Sequence, residues 1–431
     1  MDKKTVSEVS LQMTPEEKKK FMYWQLRTIA ATWLAYSFFY IVRKNLSMSM
    51  PAMQEDLGIT KTELGIFLTL HGLLYGVSRF ANGFIVHKWS ARTFMATGLI
   101  FCAACNIIFG FSSMFLIMGL VWLIHGWFQG MGYPPMARLL PHWIPPNELA
   151  TKMAIWNTSH SVGAMTAVIS CGYIVTNLGW RYAFYIPAVL AILIGIWLWF
   201  TIRDTPSSVG LPELEIGSKD NSSSKESKEY KQFIKEKVFK NPYIWIIAIA
   251  NFFVYILRFA ILDWGPTILK DWKGFSLVNA GWATAAFEIS GIAGVITAGW
   301  ITDKFFGSRG LRVCVILMAL SSLFLFLFWK IDSAIPWLPV VFLMLAGFCI
   351  YGPQALVGIA SANMATKRGS AVANGFAGLW GYASVIVTGL GVGLLTDKFG
   401  WEFSLGTLIG AGIIGAGIFA LAWGARADGY E

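Results

Sequence analysis

The sequence predicts an all-α membrane protein with twelve transmembrane helices in two pseudo-symmetric six-helix halves. Of its 431 residues, 56% are hydrophobic and only 13% are charged. A soluble domain usually has about 25% charged residues, so this chain has too little polar surface to face water on all sides. Long uncharged runs such as 183–202 match the roughly 20 apolar residues that cross a bilayer as a helix. Short motifs of the first half also recur in the second.

The apolar stretches and one polar stretch predict the organisation of the chain. The long polar stretch 203–241 reads as a flexible cytoplasmic linker between an N-terminal half, 1–202, and a C-terminal half, 242–431. The predicted spans are 28–50, 64–86, 93–112, 114–136, 150–176, 182–202, 242–269, 277–301, 311–330, 336–360, 370–396 and 402–424.

The basic residues predict the orientation. With the N-terminus inside, the cytoplasmic loops carry 17 Lys and Arg residues and the outside loops carry six. The first 27 residues are polar and lack the apolar core of a cleaved signal peptide. This bias predicts that both termini are cytoplasmic. It also accounts for the net charge of +10 better than a nucleic-acid partner does.

Two motifs recur at a nearly constant offset. The stretch 40–43 (YIVR) in the first span recurs as 255–258 (YILR) in the seventh, 215 positions later. After the second span, 83–88 (GFIVHK) recurs as 299–304 (GWITDK), 216 positions later. Repeats of this kind predict two related halves with a substrate site between them, near the middle of the membrane.

Charged side chains inside the predicted spans point to the kind of substrate. A charge at the bilayer centre costs about 2.5–3.5 kcal/mol on insertion scales, so it usually has a function. Two acids, Asp263 and Glu288, lie within the spans. Structural ion pairing is one explanation. However, four basic residues lie within the spans against two acids, so pairing would leave an excess of positive charge, and we favour a bound anion as the missing partner. Arginine suits a phosphate because its planar guanidinium donates bidentate hydrogen bonds. The intramembrane basic residues are Arg43, Lys44, Arg79 and Arg258.

Four tyrosines lie at helical spacing from these basic residues. Their hydroxyls could donate to a substrate, although interior packing is the alternative. His160 follows Asn157 by three residues, so both face one way, and a histidine with a pKa near neutrality could become charged when an anion binds. No nucleophile–base pair, metal cluster or nucleotide motif stands out, which argues against an enzyme. The tyrosines are Tyr36, Tyr40, Tyr75 and Tyr255.

At these residues the chain resembles the major facilitator superfamily and, within it, the organophosphate:phosphate antiporters. The resemblance extends from about residue 24 to residue 426 and implies the major facilitator fold. The matching stretches are 40–45 (YIVRKN), 126–135 (GWFQGMGYPP), 156–163 (WNTSHSVG), 255–266 (YILRFAILDWGP) and 350–353 (IYGP).

The resemblance implies a monomeric exchanger in the bacterial inner membrane, without a cofactor. It would import an organic phosphate against inorganic phosphate by a rocker-switch motion. Arg43 and Arg258 match the phosphate-binding pair. His160 matches the site histidine, Asn157 its neighbour and Glu288 an acidic residue of span eight. The pore-lining matches are Lys44, Tyr36, Tyr40, Tyr75, Gln129, Tyr255, Tyr351 and Tyr382.

Departures from the family pattern bear on the substrate. Arg79 stands where the glycerol-phosphate transporters have lysine. Asn374 and Ala377 stand where the hexose-phosphate transporters carry an aspartate and a lysine. We therefore expect glycerol 3-phosphate first and glucose 6-phosphate second. A membrane sensor for external sugar phosphate is the alternative from another class.

Overall fold

The regular structure of the described chain is helical throughout. Within the part of the chain that the structure describes, ten helices are long and apolar enough to cross a membrane. The prediction of an all-α membrane protein is therefore confirmed. The computed structural model describes residues 13–214, 229, 231–307, 309–331, 335 and 337–425.

The helices alternate with short connections along the described chain. Short 3₁₀ or π segments lie at Val86–Lys88, Pro206–Val209, Lys235–Phe239 and Val387–Gly391. The α-helices are α1 (Pro15–Leu57), α2 (Lys61–Ile85), α3 (Ala91–Phe111), α4 (Phe115–Gln129), α5 (Pro134–Trp143), α6 (Pro146–Leu178), α7 (Tyr182–Thr201), α8 (Pro242–Asp271), α9 (Leu277–Phe306), α10 (Gly310–Lys330), α11 (Trp337–Met364), α12 (Thr366–Ala383) and α13 (Val392–Leu421).

Two helical stretches bear on the number of crossings. Helix α1 has 43 residues, so it is about 64 Å long, against a hydrocarbon core of about 30 Å. The candidate span Val372–Leu421 has 50 residues. Gly400 divides it, because its φ of 81° is a conformation that side chains disfavour. These stretches are compatible with twelve crossings. The number of crossings and the cytoplasmic position of the termini stay predictions.

The chain divides into two compact units, and unit 1 comprises Met1–Ser49 and Leu74–Asp220. Glycines let its helices approach closely. Gly163 of α6 lies directly against the backbone carbonyl of Ser37 on α1. Gly195 of α7 packs on α3, where an added Cβ would lie 2.7 Å from Ile100 Cγ1. Side chains larger than hydrogen at these positions would push the helices apart, so the glycines determine how near α1 and α7 lie to their neighbours.

The chain after α7 packs on unit 1 as far as residue 214. Asp204 accepts hydrogen bonds from the first two N–H groups of α3 at 3.1 and 3.0 Å. Partial burial would raise the pKa of Glu213, but hydrogen bonds from Ser207 and the charge of His142 bring it below its usual value. The predicted linker thus begins with an ordered stretch, and 215–228 lie outside the described residues. The predicted domain boundaries stay predictions.

Unit 2 comprises Met50–Leu73 and Asn221–Glu431, so it includes the end of α1 and the start of α2. The π segment Val387–Gly391 lies against α2. Thr69 of α2 donates to the Val385 carbonyl at 3.2 Å and accepts from the Leu390 N–H at 2.8 Å. Trp264 of α8 donates to the Thr388 carbonyl at 2.7 Å. These bonds satisfy backbone groups around an irregular turn within the helical stretch.

Candidate functional site

The first predicted group forms in unit 1 around Arg43 of α1. The Arg43 guanidinium carbon lies 4.7 Å from the ring centroid of Tyr75 on α2 and 5.8 Å from that of Tyr40. The ring of His160 on α6 lies 5.6 Å from that of Tyr40. The structure therefore brings together four predicted residues from three helices. Aromatic rings attract the guanidinium charge, and a guanidinium can donate bidentate hydrogen bonds to a phosphate.

His160 has a defined orientation. Its Nδ1 makes a short hydrogen bond to the Asn157 carbonyl, and its Nε2 lies 3.3 Å from the Ser161 hydroxyl. A carbonyl only accepts, so Nδ1 carries a hydrogen and Nε2 is the nitrogen that can gain a proton. The side chain of Asn157 is exposed. The predicted pair thus meets through the backbone of Asn157.

Arg79 of α2 belongs to a neighbouring aromatic group in unit 1. Its guanidinium carbon lies 4.2 Å from the ring centroid of Tyr133. Tyr133 lies 6.3 Å from Tyr36, which packs at 4.8 Å on Trp156. Tyr133 and Trp156 were not predicted as site residues, although both lie in stretches that carry the family resemblance, 126–135 and 156–163. Their aromatic rings in those stretches were the available signal.

Two more predicted residues of unit 1 are buried. Gln129 of α4 donates from Nε2 to the Phe39 carbonyl of α1 at 2.7 Å. Its amide therefore holds the backbone of the helix that carries Arg43. Lys44, which follows Arg43, is also buried.

The second predicted group forms in unit 2 around Arg258 of α8. Its guanidinium carbon lies 4.7 Å from the ring centroid of Tyr351 on α11. Glu288 of α9 is only 2% exposed, and its charge and that of Arg258 both act on Tyr351. Glu288 and Arg258 are also hydrogen-bonding neighbours of the Tyr351 hydroxyl, although among the described residues neither Glu288 Oε2 nor that hydroxyl has a partner at full hydrogen-bond geometry. Buried polar atoms are usually paired, so these two suit a ligand that offers hydrogen bonds.

Two further predicted tyrosines pack together beside α8. The rings of Tyr255 and Tyr382 lie 6.0 Å apart, and Phe259 lies 5.1 Å from Tyr255 and 6.4 Å from Tyr382. Phe259 was missed because a lone phenylalanine in an apolar helix carries no sequence signal of its own. Each unit thus places its repeat-related arginine beside tyrosine rings.

Gly291 on α9 allows Tyr351 to occupy its position. A Cβ at Gly291 would lie 2.6 Å from ring carbons of Tyr351. We expect Gly291→Ala to displace that ring from Arg258 and to lower substrate exchange about tenfold, because core overpacking costs roughly 1–3 kcal/mol. Initial exchange rates in liposomes check this. Gly417→Ala on α13, where nothing lies within 4 Å of an added Cβ, is the matched control. Equal rates in the two variants would contradict the expectation.

The chain was compared with known protein families and solved structures. The model of the Major Facilitator Superfamily matches residues 32–389. A bacterial homologue of the lysosomal transporter Spinster, in an inward-facing occupied conformation, superposes with a TM-score of 0.78 at 14% identity, covering 95% of this chain and 99% of that one. The nucleoside transporter NupG superposes with a TM-score of 0.71 at 15% identity, covering 93% of this chain and 99% of that one. At these identities the two structures show the fold alone.

Curated relatives match along most of their length. A probable hexose phosphate transport protein of Chlamydia pneumoniae is 34% identical over 423 residues, covering 95% of this chain and 93% of the relative. The glycerol-3-phosphate transporter of Bacillus subtilis (strain 168) is 35% identical, covering 94% of each. The membrane sensor protein UhpC of Escherichia coli (strain K12) is 33% identical, covering 91% of each.

The fold, the arginine groups and these matches define a multi-pass protein of the bacterial inner membrane with the major facilitator fold. The chain belongs to the Major Facilitator Superfamily and, within it, to the organophosphate:phosphate antiporter family. The superfamily model and the hexose phosphate and glycerol-3-phosphate relatives are transport proteins, not enzymes. The predicted family and fold class are therefore confirmed.

Proposed function

We propose that the protein exchanges an organic phosphate for inorganic phosphate by alternating access. The observation that carries the proposal is the arginine beside tyrosine rings in each unit, at positions 215 residues apart. An arginine from each half binds the phosphate group through bidentate hydrogen bonds. His160 supplies a further donor and gains a proton at Nε2 when a dianion binds.

Two buried side chains near Arg258 suit the organic group of the substrate. The buried Glu288 Oε2 and the Tyr351 hydroxyl suit a substrate that carries hydroxyl groups, since a carboxylate accepts and a phenol both donates and accepts. Glycerol 3-phosphate is the first substrate that we propose, and glucose 6-phosphate is the second. Relatives at similar identity have names that include each of these substrate classes.

Residues around the two arginines complete the proposed site. Some of them contact substrate, whereas others, such as Gln129, hold the helices that carry it. We propose a monomer with both termini in the cytoplasm and twelve crossings. The proposed site residues are Arg43, Lys44, Arg79, Tyr36, Tyr40, Tyr75, Gln129, Asn157, His160, Arg258, Tyr255, Glu288, Tyr351 and Tyr382.

Exchange in liposomes tests the function. Purified protein in liposomes loaded with labelled phosphate should release the label when glycerol 3-phosphate is added outside. Glucose 6-phosphate should give slower release at equal concentration, and glycerol, which lacks the phosphate, should give none. No release with a broad panel of organic phosphates would overturn the antiporter proposal.

A sensor is the second candidate function, supported by the 33% identity to the membrane sensor protein UhpC. A sensor binds its ligand without rapid turnover. Binding of glucose 6-phosphate to the purified protein, together with absence of exchange in liposomes, would favour it over the transporter.

A further inference from the structure

Two buried asparagines link α1 to α3 next to Arg43. Asn45 and Asn106 are both 0% exposed. Asn45 Nδ2 donates to Asn106 Oδ1 at 2.6 Å and to the Ala183 carbonyl at 3.1 Å. Asn106 Nδ2 donates to the Val42 carbonyl at 2.9 Å and to the Cys102 carbonyl at 3.0 Å. Both hydrogens of each amide are used, so the network joins α1, α3 and α7 without an unpaired donor.

The network holds the helical turn that carries Arg43. The carbonyl bonded by Asn106 belongs to Val42, the residue before Arg43. At the other end of the turn, the Leu46 N–H donates to Asn45 Oδ1 at 3.0 Å. In an α-helix the Leu46 N–H donates to the Val42 carbonyl. Here that N–H also bonds to the side chain of Asn45, and that carbonyl also bonds to the side chain of Asn106.

A third side chain holds the same stretch. Gln129 donates to the Phe39 carbonyl at 2.7 Å, one turn before Val42. Helix α1 therefore receives amide bonds to its backbone from two other helices within the two turns around Arg43. Directional bonds of this kind determine the axial position and rotation of a helix, which apolar contacts alone do less strictly.

The second half keeps the arginine but not the network. At the offset of 215 between the YIVR and YILR motifs, Asn45 corresponds to Ala260. Helix α10, the counterpart of α3 in the second half, contains no asparagine. The repeated helical framework therefore forms without an asparagine pair, so the pair serves something particular to the first half.

We infer that Asn106, acting with Asn45, is a positioning residue for Arg43. It fixes the turn Val42–Leu46 on α3, so the guanidinium is aimed before the anion arrives and little ordering is needed on binding. The inference rests on the proposed function, because it assigns Asn106 an effect on phosphate affinity through Arg43.

The first test measures phosphate affinity without transport. The readout is the inorganic phosphate concentration that gives half of the maximal thermal stabilisation of the solubilised protein. Asn106→Ala should raise that concentration about tenfold. Thr396→Val, which removes the buried 2.8 Å bond between Thr396 and Ser404 in unit 2, is the control and should leave it unchanged. If Asn106→Ala does not fold, Asn45→Ala should raise it about threefold.

A double-mutant cycle separates positioning from general structure. In the Arg43→Lys background, Asn106→Ala should weaken phosphate binding by less than a further twofold, because the guanidinium that Asn106 positions is absent. An undiminished tenfold loss in that background would overturn the inference. Exchange by the wild type with unaltered phosphate affinity in Asn106→Ala overturns the inference alone. A wild type that neither binds nor exchanges phosphate overturns the proposed function, and the inference with it.

Discussion

Arg43→Lys and Arg258→Lys should each lower the initial rate of phosphate exchange about 100-fold. A hydrogen bond to a charged group contributes about 1.5–3 kcal/mol, and lysine presents a point charge instead of a planar pair of donors. Lysine also lacks the guanidinium, whose carbon lies 4.7 Å from the ring centroid of Tyr75 in the first group and of Tyr351 in the second. The charge is kept in both variants, so the loss reports geometry. Initial rates of phosphate counterflow in liposomes measure it.

A third arginine provides the control. Arg312 lies 5.4 Å from the ring centroid of Trp423 and donates from Nε to the Trp423 carbonyl at 3.0 Å, outside both groups. Arg312→Lys therefore loses a comparable aromatic contact and should exchange at close to the wild-type rate. Wild-type exchange in both Arg43→Lys and Arg258→Lys would contradict phosphate binding by the two arginines.

Most of the fold could be predicted because a bilayer restricts the choice of structure. Helices satisfy their own backbone groups in lipid, so apolar length and charge placement suffice to predict an all-helical membrane protein. The arginines could be predicted for a related reason, since Arg43 and Arg258 are costly in apolar spans and recur at one offset.

The surroundings of the arginines could not be predicted in the same way. Trp156, Tyr133 and Phe259 are common residues of apolar segments, and only tertiary packing within each unit shows which ring meets which neighbour. The asparagine pair depends on the register of α1 against α3, a relation between residues 61 positions apart. Such contacts follow from tertiary packing, which periodicity within one helix does not report.

Removal of the carboxylate of Asp397, which lies on α13 and caps the start of α2, should have the second large effect, on access to the site from the outside. Asp397, just before Gly400, accepts hydrogen bonds from the Thr62 N–H at 2.7 Å and from its hydroxyl at 2.6 Å. It also accepts from the Lys61 N–H at 3.3 Å. A carboxylate at a helix N-terminus satisfies donors that the helix leaves open and is favoured by the helix dipole.

Two ion pairs reinforce this attachment within unit 2. The Lys61 ammonium lies 3.2 Å from Asp271, and the Lys270 ammonium lies 2.6 Å from Glu55. These groups are partly exposed, so each pair alone contributes little. The basic-residue bias predicts that Lys61 and Lys270 lie on the outer side of the membrane. In the proposed alternating access, we expect the segment 50–73 to detach from the rest of unit 2 when the outer side opens.

Asp397→Ala should therefore shift the protein toward the state that is open to the outside. Loss of a capping carboxylate costs about 1–2 kcal/mol, which corresponds to a change of about tenfold in the population of the open state. Leu64 on the first turns of α2 is buried in unit 2. A cysteine introduced by Leu64→Cys should react with a membrane-impermeant thiol reagent about tenfold faster when Asp397→Ala is also present.

The matched control removes the same charge from the same region, at a side chain with no hydrogen bond or ion pair among the described residues. Glu402 is exposed, and Glu402→Ala should leave the labelling of the introduced cysteine unchanged. Slower labelling when phosphate is added in the Asp397→Ala background would show that the anion favours the closed outer side. The size of that change would measure the coupling between phosphate binding and access from the outside. Equal labelling in the Asp397→Ala and Glu402→Ala backgrounds would show that α2 stays attached without the carboxylate. The outer closure would then depend on the close packing of Gly65 against Gly389, because that contact remains when the charges at the end of the helix are removed.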